Sequence, residues 1–242
     1  MTLTVYGAFA DRLSHIASLR IDALRTAGEF TQWRAIRARP STVVTARPRD
    51  EAAARALREA QTWHAEHALP TEPTDFAAPP TVPCGGPPTA AYAEAVAGGI
   101  DDHVRWALFT AYWRDGQDIG NPLWLREHLA VAFRHAPDAP DVVSRYGCAV
   151  SISGGPVSTA AWRLVREWQA AWHDLGAPRL PVVVDGESLT SGYAALEHLG
   201  TMVARRGAAF PTANPAALPP LPVAALRLGV PLPLRRPVWW QS

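Results

Sequence analysis

The first 37 residues set the tightest limit on what this chain can become. Residues 2–7, "TLTVYG", alternate and are β-prone, which predicts a short strand. Residues 11–27 predict a helix: Ile16, Leu19, Ala23 and Leu24 form an apolar stripe, and Gly28 stands where helices stop. "EFTQWRAIR", 29–37, sets Trp33 and Ile36 against Phe30, Gln32 and Arg34, a second strand. A strand–helix–strand unit this short predicts a parallel, right-handed βαβ arrangement.

The pattern then changes. Helices are predicted over 49–69, 89–97, 101–115 and 121–135, with a Pro/Gly-rich loop at 70–89 that carries Cys84. Asn121-Pro122 marks a helix start, with proline at the first helical position. A longer helix is expected at 158–176, with Trp162, Val165, Trp168 and Trp172 at helical spacing. "RLPVVVDGESLTSG" then supplies a β-branched run, an Asp185-Gly186 turn and a return strand. A last helix, "GYAALEHLGTMVARRG", precedes a Pro-rich tail. This order, βαβ, helices, hairpin, helix, is that of an α/β domain interrupted by an all-helical insertion.

Bulk composition limits the partners. The chain has 242 residues and a formal net charge of +1, so nothing in its charge calls for nucleic acid or an anionic membrane. No run of about 18 apolar residues is present to span a bilayer. "MTLTVYGAF" lacks the features of a signal peptide, so a cytoplasmic location is expected, in keeping with only two cysteines, Cys84 and Cys148. Every basic residue counted is arginine, read as the codon bias of a GC-rich, actinobacterial genome. No Walker pattern or GxGxxG is found, and neither cofactor nor metal is expected. His64 and His67 in "WHAEH" read as a solvated helix face rather than metal ligands.

Three stretches resemble one known family. "VYGAFADRLSHIASLRIDAL" is similar to its strand, active-site turn and first helix. "VRWALFTAYWRDGQDIGNPLWL" is similar to its inserted helical segment. "RLPVVVDGESLTSGYAALEHL" is similar to its Val-Pro, Asp-Gly hairpin and final helix. The family is the DsbA-like branch of the thioredoxin fold. It includes cytoplasmic DsbA-family oxidoreductases, 2-hydroxychromene-2-carboxylate isomerases and kappa-class glutathione transferases. The resemblance implies a thioredoxin-like domain from 1–48 and 156–207, a helical insertion at 49–155 and an uncovered tail at 208–242. It also implies a cis Leu180–Pro181 bond facing the turn at 11–14.

The departure from that family decides the chemistry. The oxidoreductases carry Cys-x-x-Cys at the helix start, where the helix terminus stabilises a thiolate. Here the motif reads Asp11-Arg12-Leu13-Ser14, which excludes dithiol exchange at this site. Asp11 also disfavours a thiolate cofactor by charge. Asp11 reads either as a general base or as a plain N-cap, and the helix terminus is expected to keep it ionised. Ser14 is a candidate for substrate contact. His15 is a candidate at the cleft rim or a solvated surface histidine; as neighbours on a helix, Ser14 and His15 point to different faces. Arg12, Cys84, Trp113, Leu180 and Pro181 are the candidate substrate-binding residues. Cys84 and Cys148 are open to being incidental buried cysteines or a redox pair.

The expected function is a non-redox small-molecule enzyme of isomerase, cyclase or dehydratase type in specialised metabolism. The alternatives are a non-catalytic peptide- or metabolite-binding module and a thiol enzyme using Cys84. The tail, with Arg235-Arg236 and Trp239-Trp240, reads as an anchor on the chain's own surface or on a second protomer in a homodimer.

Overall fold

The computed structural model describes residues 3–38, 45–76 and 79–214. The tail residues singled out above lie outside the described residues. β1 (Leu3–Gly7), α1 (Arg12–Thr26) and β2 (Thr31–Ala35) form the expected βαβ unit, with β1 and β2 parallel and Val5 opposite Trp33. The register places Trp33 in the core; Ile36, just past β2, is also buried although it shares the parity of Phe30, which is exposed. Gly7 is obligatory by contact rather than by turn: a Cβ there would stand 2.2 Å from Cη2 of Trp33.

Eight further elements follow before the hairpin. They are β3 (Arg47–Pro48), α2 (Glu51–His67), β4 (Thr81–Val82), α3 (Gly86–Ala97), α4 (Asp101–Trp113), α5 (Pro122–Arg134), α6 (Asp141–Tyr146) and α7 (Thr159–Asp174). β3 and β4 pair antiparallel, and with α6 they add to the sequence expectation. α3 starts earlier than expected because Pro87 and Pro88 sit in its first turn, where a missing N–H costs nothing. Trp168 and Trp172 are buried, but Trp162, expected on the same stripe, is half exposed beside Gly155.

β5 (Val182–Asp185) and β6 (Ser188–Ser191) make the Asp-Gly hairpin, and α8 (Tyr193–Arg206) closes the fold. The sheet order is β2-β1-β5-β6, with β5 antiparallel to β1. Tyr6 pairs with Val182, so the chain entering β5 lies beside the chain leaving β1 toward the α1 turn. The Leu180–Pro181 bond is cis, as the resemblance implied. α8 packs on α1, and α7 packs on α3. Among the described residues no helix is long and apolar enough to cross a membrane.

α1 is buried on nearly every side, including Arg12, Ser14, His15, Ser18, Arg20 and Asp22. Buried polar groups must find partners, and those partners tie the layers together. Arg20 meets Glu72 bidentately at 3.0 and 2.9 Å and donates to the Leu196 carbonyl of α8 at 2.6 Å. Gly200 makes room for it, because a Cβ there would stand 2.9 Å from Arg20 Nη1. Arg105 of α4 bonds both Ser18 and Asp22, fixing α4 to α1.

Candidate functional site

The turn between β1 and α1 is built by Asp11 and Ser14. Asp11 is the N-cap of α1, in extended conformation (φ −98°, ψ 128°), and its Oδ2 accepts from the Ser14 N–H at 2.8 Å. The Ser14 hydroxyl also donates to Oδ2, at 2.6 Å, and accepts from the Ala8 N–H at 3.1 Å. Ser14 is fully buried, and its hydroxyl is committed in both directions. Burial pushes the Asp11 carboxyl above its ordinary value, while the Ser14 hydrogen bonds and the Arg179 charge pull it back. Asp11 is the cap the sequence suggested, but the direction of its shift corrects the expectation that the helix terminus governs this carboxyl: desolvation outweighs it.

Behind the turn lies a buried polar chain. Arg12 Nη1 is 2.8 Å from Nδ1 of His15, and Nη2 is 3.1 Å from Nδ1 of His64. A guanidinium has no acceptor, so both Nδ1 atoms accept and both imidazoles are neutral with the proton on Nε2. His64 Nε2 then faces Glu72 Oε1 at 3.3 Å. His15 is stacked on Phe109 and Trp113. Burial, and then the Arg12 charge, hold it well below the ordinary histidine value. Burial also lowers Arg12, to about 10, despite Glu72. Both histidines were read as solvated alternatives from sequence, and both are buried (3% and 1% exposed). His64 meets Arg12 across 52 residues, and the rings stacked on His15 come from α4, which no local pattern reveals.

In front of the turn is a cavity of about 460 Å³. Asp11, Arg12 and Phe9 of the turn form one wall, Ala53, Leu57 and Ala60 of α2 another, and Val82 and Cys84 of the β4–α3 connection a third. Arg47, Arg49 and Arg179 also line it. Arg49 is held by the Pro79 carbonyl (3.3 and 3.2 Å) and the Tyr112 hydroxyl (3.0 Å). Arg179 lies over the Tyr193 ring at 5.0 Å and against Gly192 (φ 58°), where a Cβ would approach its Cδ to 3.3 Å.

The structure thus brings Asp11, Arg12, Cys84 and Trp113 to one cavity. Trp113 also donates its Nε1–H to the Phe9 carbonyl at 3.0 Å, which fixes α4 to the turn. Ser14, His15, Leu180 and Pro181 are buried and are not among the lining residues. In place of Leu180 and Pro181, the preceding Arg179 reaches the cavity. Cys84 and Cys148 are both buried and unbonded. Gly120 lets the chain pass Cys84 closely, since a Cβ would stand 2.6 Å from the Cys84 nitrogen. Arg47, Arg49 and Arg179 escaped the sequence reading, because in a chain whose cations are all arginine they look like any surface residue. The one signal is at Arg47, which precedes Pro48 in "ARPR" and is thereby biased to extended backbone.

No family model and no curated protein matches the chain by sequence. Solved structures do match in fold. The cytosolic disulfide reductase DsbM from Pseudomonas aeruginosa, solved with GSH, aligns with a TM-score of 0.54 and 17% identity, covering 85% of this chain and 98% of that one. A 2-hydroxychromene-2-carboxylate isomerase aligns at 0.56 and 17%, covering 85% and 95%. A probable DsbA oxidoreductase from Streptomyces coelicolor aligns at 0.55 and 15%, covering 86% and 90%.

Proposed function

Starting from the DsbA-like thioredoxin fold of this chain, we propose that it is a non-redox enzyme acting on a small molecule held against the start of α1, with Asp11 as the proton-transfer group. The observation that carries this reading is the position of Asp11. A carboxyl of raised pKa stands in the wall of a cavity, at the helix terminus where the disulfide chemistry of this fold needs sulfur. General acid–base catalysis wants a group whose pKa is moved toward the working pH and which touches the substrate. Asp11 meets the second condition by lining the cavity and moves toward the first by burial.

The other turn residues position it. Ser14 fixes the carboxyl through two hydrogen bonds to one oxygen, leaving Oδ1 of Asp11 for substrate. His15, neutral and stacked, supports Arg12 and the aromatic floor. Isomerisation, cyclisation and dehydration all need a proton moved at a held substrate, and none needs an electron-pair exchange with the protein. Cys84, in the same cavity, favours a second reading in which a low-molecular-weight thiol works with that sulfur.

The test is a variant pair. Asp11→Asn abolishes turnover of a cavity ligand while its binding persists, and Cys84→Ala leaves turnover in place. Turnover that survives Asp11→Asn and is lost in Cys84→Ala overturns the first reading in favour of the second.

A further inference from the structure

The cavity holds four arginines and one carboxylate: Arg12, Arg47, Arg49 and Arg179 against Asp11. Among the described residues none of the four is ion-paired; the arginines that are paired are Arg20, Arg25, Arg105, Arg114 and Arg206. Arg47 and Arg179 are exposed and Arg49 is half-buried, whereas a buried guanidinium such as that of Arg12 normally meets a counter-ion. Arg12 is the clearest case. It is 4% exposed, neutral imidazoles take two of its nitrogens, and its buried Nε–H has no partner. Its charge therefore acts across a low-dielectric wall. Arg49 is held in place by a carbonyl and a hydroxyl, neither of which cancels its charge.

The cations reach the cavity from separate places. Arg179 comes from the chain entering β5, on the Asp11 side through its interaction with that carboxyl. Arg47 and Arg49 come from β3 and the residue just beyond it. The same cavity is also lined by the apolar side chains of Phe9, Leu57, Val82 and Trp113. We propose that the ligand is an organic molecule carrying two acidic groups on an apolar body, one taken by Arg179 and the other by Arg47 and Arg49. This rests on the cavity being the substrate site, as proposed above, and it names the substrate class. Guanidinium groups set against different neighbours, Arg179 at Tyr193 and Gly192 and Arg49 at Pro79 and Tyr112, match two anionic ends, and the excess positive charge rejects cations and disfavours neutral analogues.

Calorimetric titration of the full chain with adipate, hexanoate and adipamide tests this. Adipate binds at least tenfold more tightly than hexanoate, and adipamide shows no binding. Arg179→Met and Arg47→Gln each reduce adipate to the affinity of hexanoate, and raising the salt concentration weakens adipate more than hexanoate. If either variant fails to fold, the salt series on the parent protein keeps the test. Equal affinity for the mono- and dicarboxylate, binding of the diamide, or variants that bind adipate as the parent does would overturn the proposal. The same titration on Asp11→Asn separates the two readings. Adipate bound with turnover unaffected by Asp11→Asn sinks the proton-transfer role alone; no preference for adipate sinks the ligand class alone.

Discussion

Arg12 Nη2 lies 3.1 Å from Nδ1 of His64, and through that contact α1 is joined to α2 across 52 residues of sequence. The bond exists only while His64 is neutral, and the matching bond to His15 has the same condition. Two buried imidazoles thus hold a cation that has no carboxylate of its own.

Acid sensitivity follows. The His15 pKa is depressed in the folded chain, so the unfolded chain binds a proton at higher pH than the folded one. The contribution of His15 is fully present above the ordinary histidine value and is lost as pH falls from there toward the native value. The slope per coupled proton is at most about 1.4 kcal/mol per pH unit. Urea melts between pH 7.5 and 5 should show stability declining below about pH 6.5, with a shallower decline in His15→Gln. An identical slope in the variant would contradict the assignment.

The cap and the proton-transfer roles of Asp11 separate by substitution. Asn also caps helices, so Asp11→Asn retains the bond to the Ser14 N–H and removes a half-buried charge. Its melting temperature at pH 7 is expected to equal or exceed that of the parent. Asp11→Ala loses the cap and costs about 1 kcal/mol. Ser14→Ala leaves the buried Ala8 N–H without its acceptor and costs about 1–3 kcal/mol. Chemical denaturation reads all three, and a destabilised Asp11→Asn would mark the carboxylate as structural.

Gly200 tests the Arg20–Glu72 pair without touching either charge. Gly200→Ala drives a methyl to 2.9 Å from Arg20 Nη1, so the guanidinium must shift. Overpacking of this kind costs about 1–3 kcal/mol even though alanine is the better helix former. Arg20→Met strands Glu72 and costs about 3–5 kcal/mol. A stabilised Gly200→Ala would mean that Arg20 moves freely.

Dithiol exchange gives the simplest functional prediction. With Asp11 and Ser14 at the helix start, reduction of insulin by dithiothreitol should proceed at its uncatalysed rate in the presence of the protein. Catalysed precipitation that disappears in Cys84→Ala would instead assign thiol chemistry to the cavity.

The elements that the sequence made legible are those with a period and a cap. The β1–α1–β2 unit, the Asp-Gly hairpin and α8 carry both. β3 and β4 have two residues each and α6 has six, too short for any period to register. The site was legible at Asp11, where residue type and position coincide. It was hidden at His64 and Arg179, whose roles depend on partners brought in by long-range packing. His64 shares its helix with Arg55, Arg58 and Glu66 and looks solvated until α1 is laid against it. Leu180 and Pro181 mark the right loop, but the longer, charged Arg179 is the side chain of that loop that reaches the cavity.

The central claim concerns the Asp11 carboxyl, and carbon-detected NMR titration of its side chain tests that claim directly. The account predicts a midpoint above the ordinary 3.8 in the free protein, rising further when adipate takes the charge of Arg179. A midpoint at or below that ordinary value, unmoved by adipate, would contradict it.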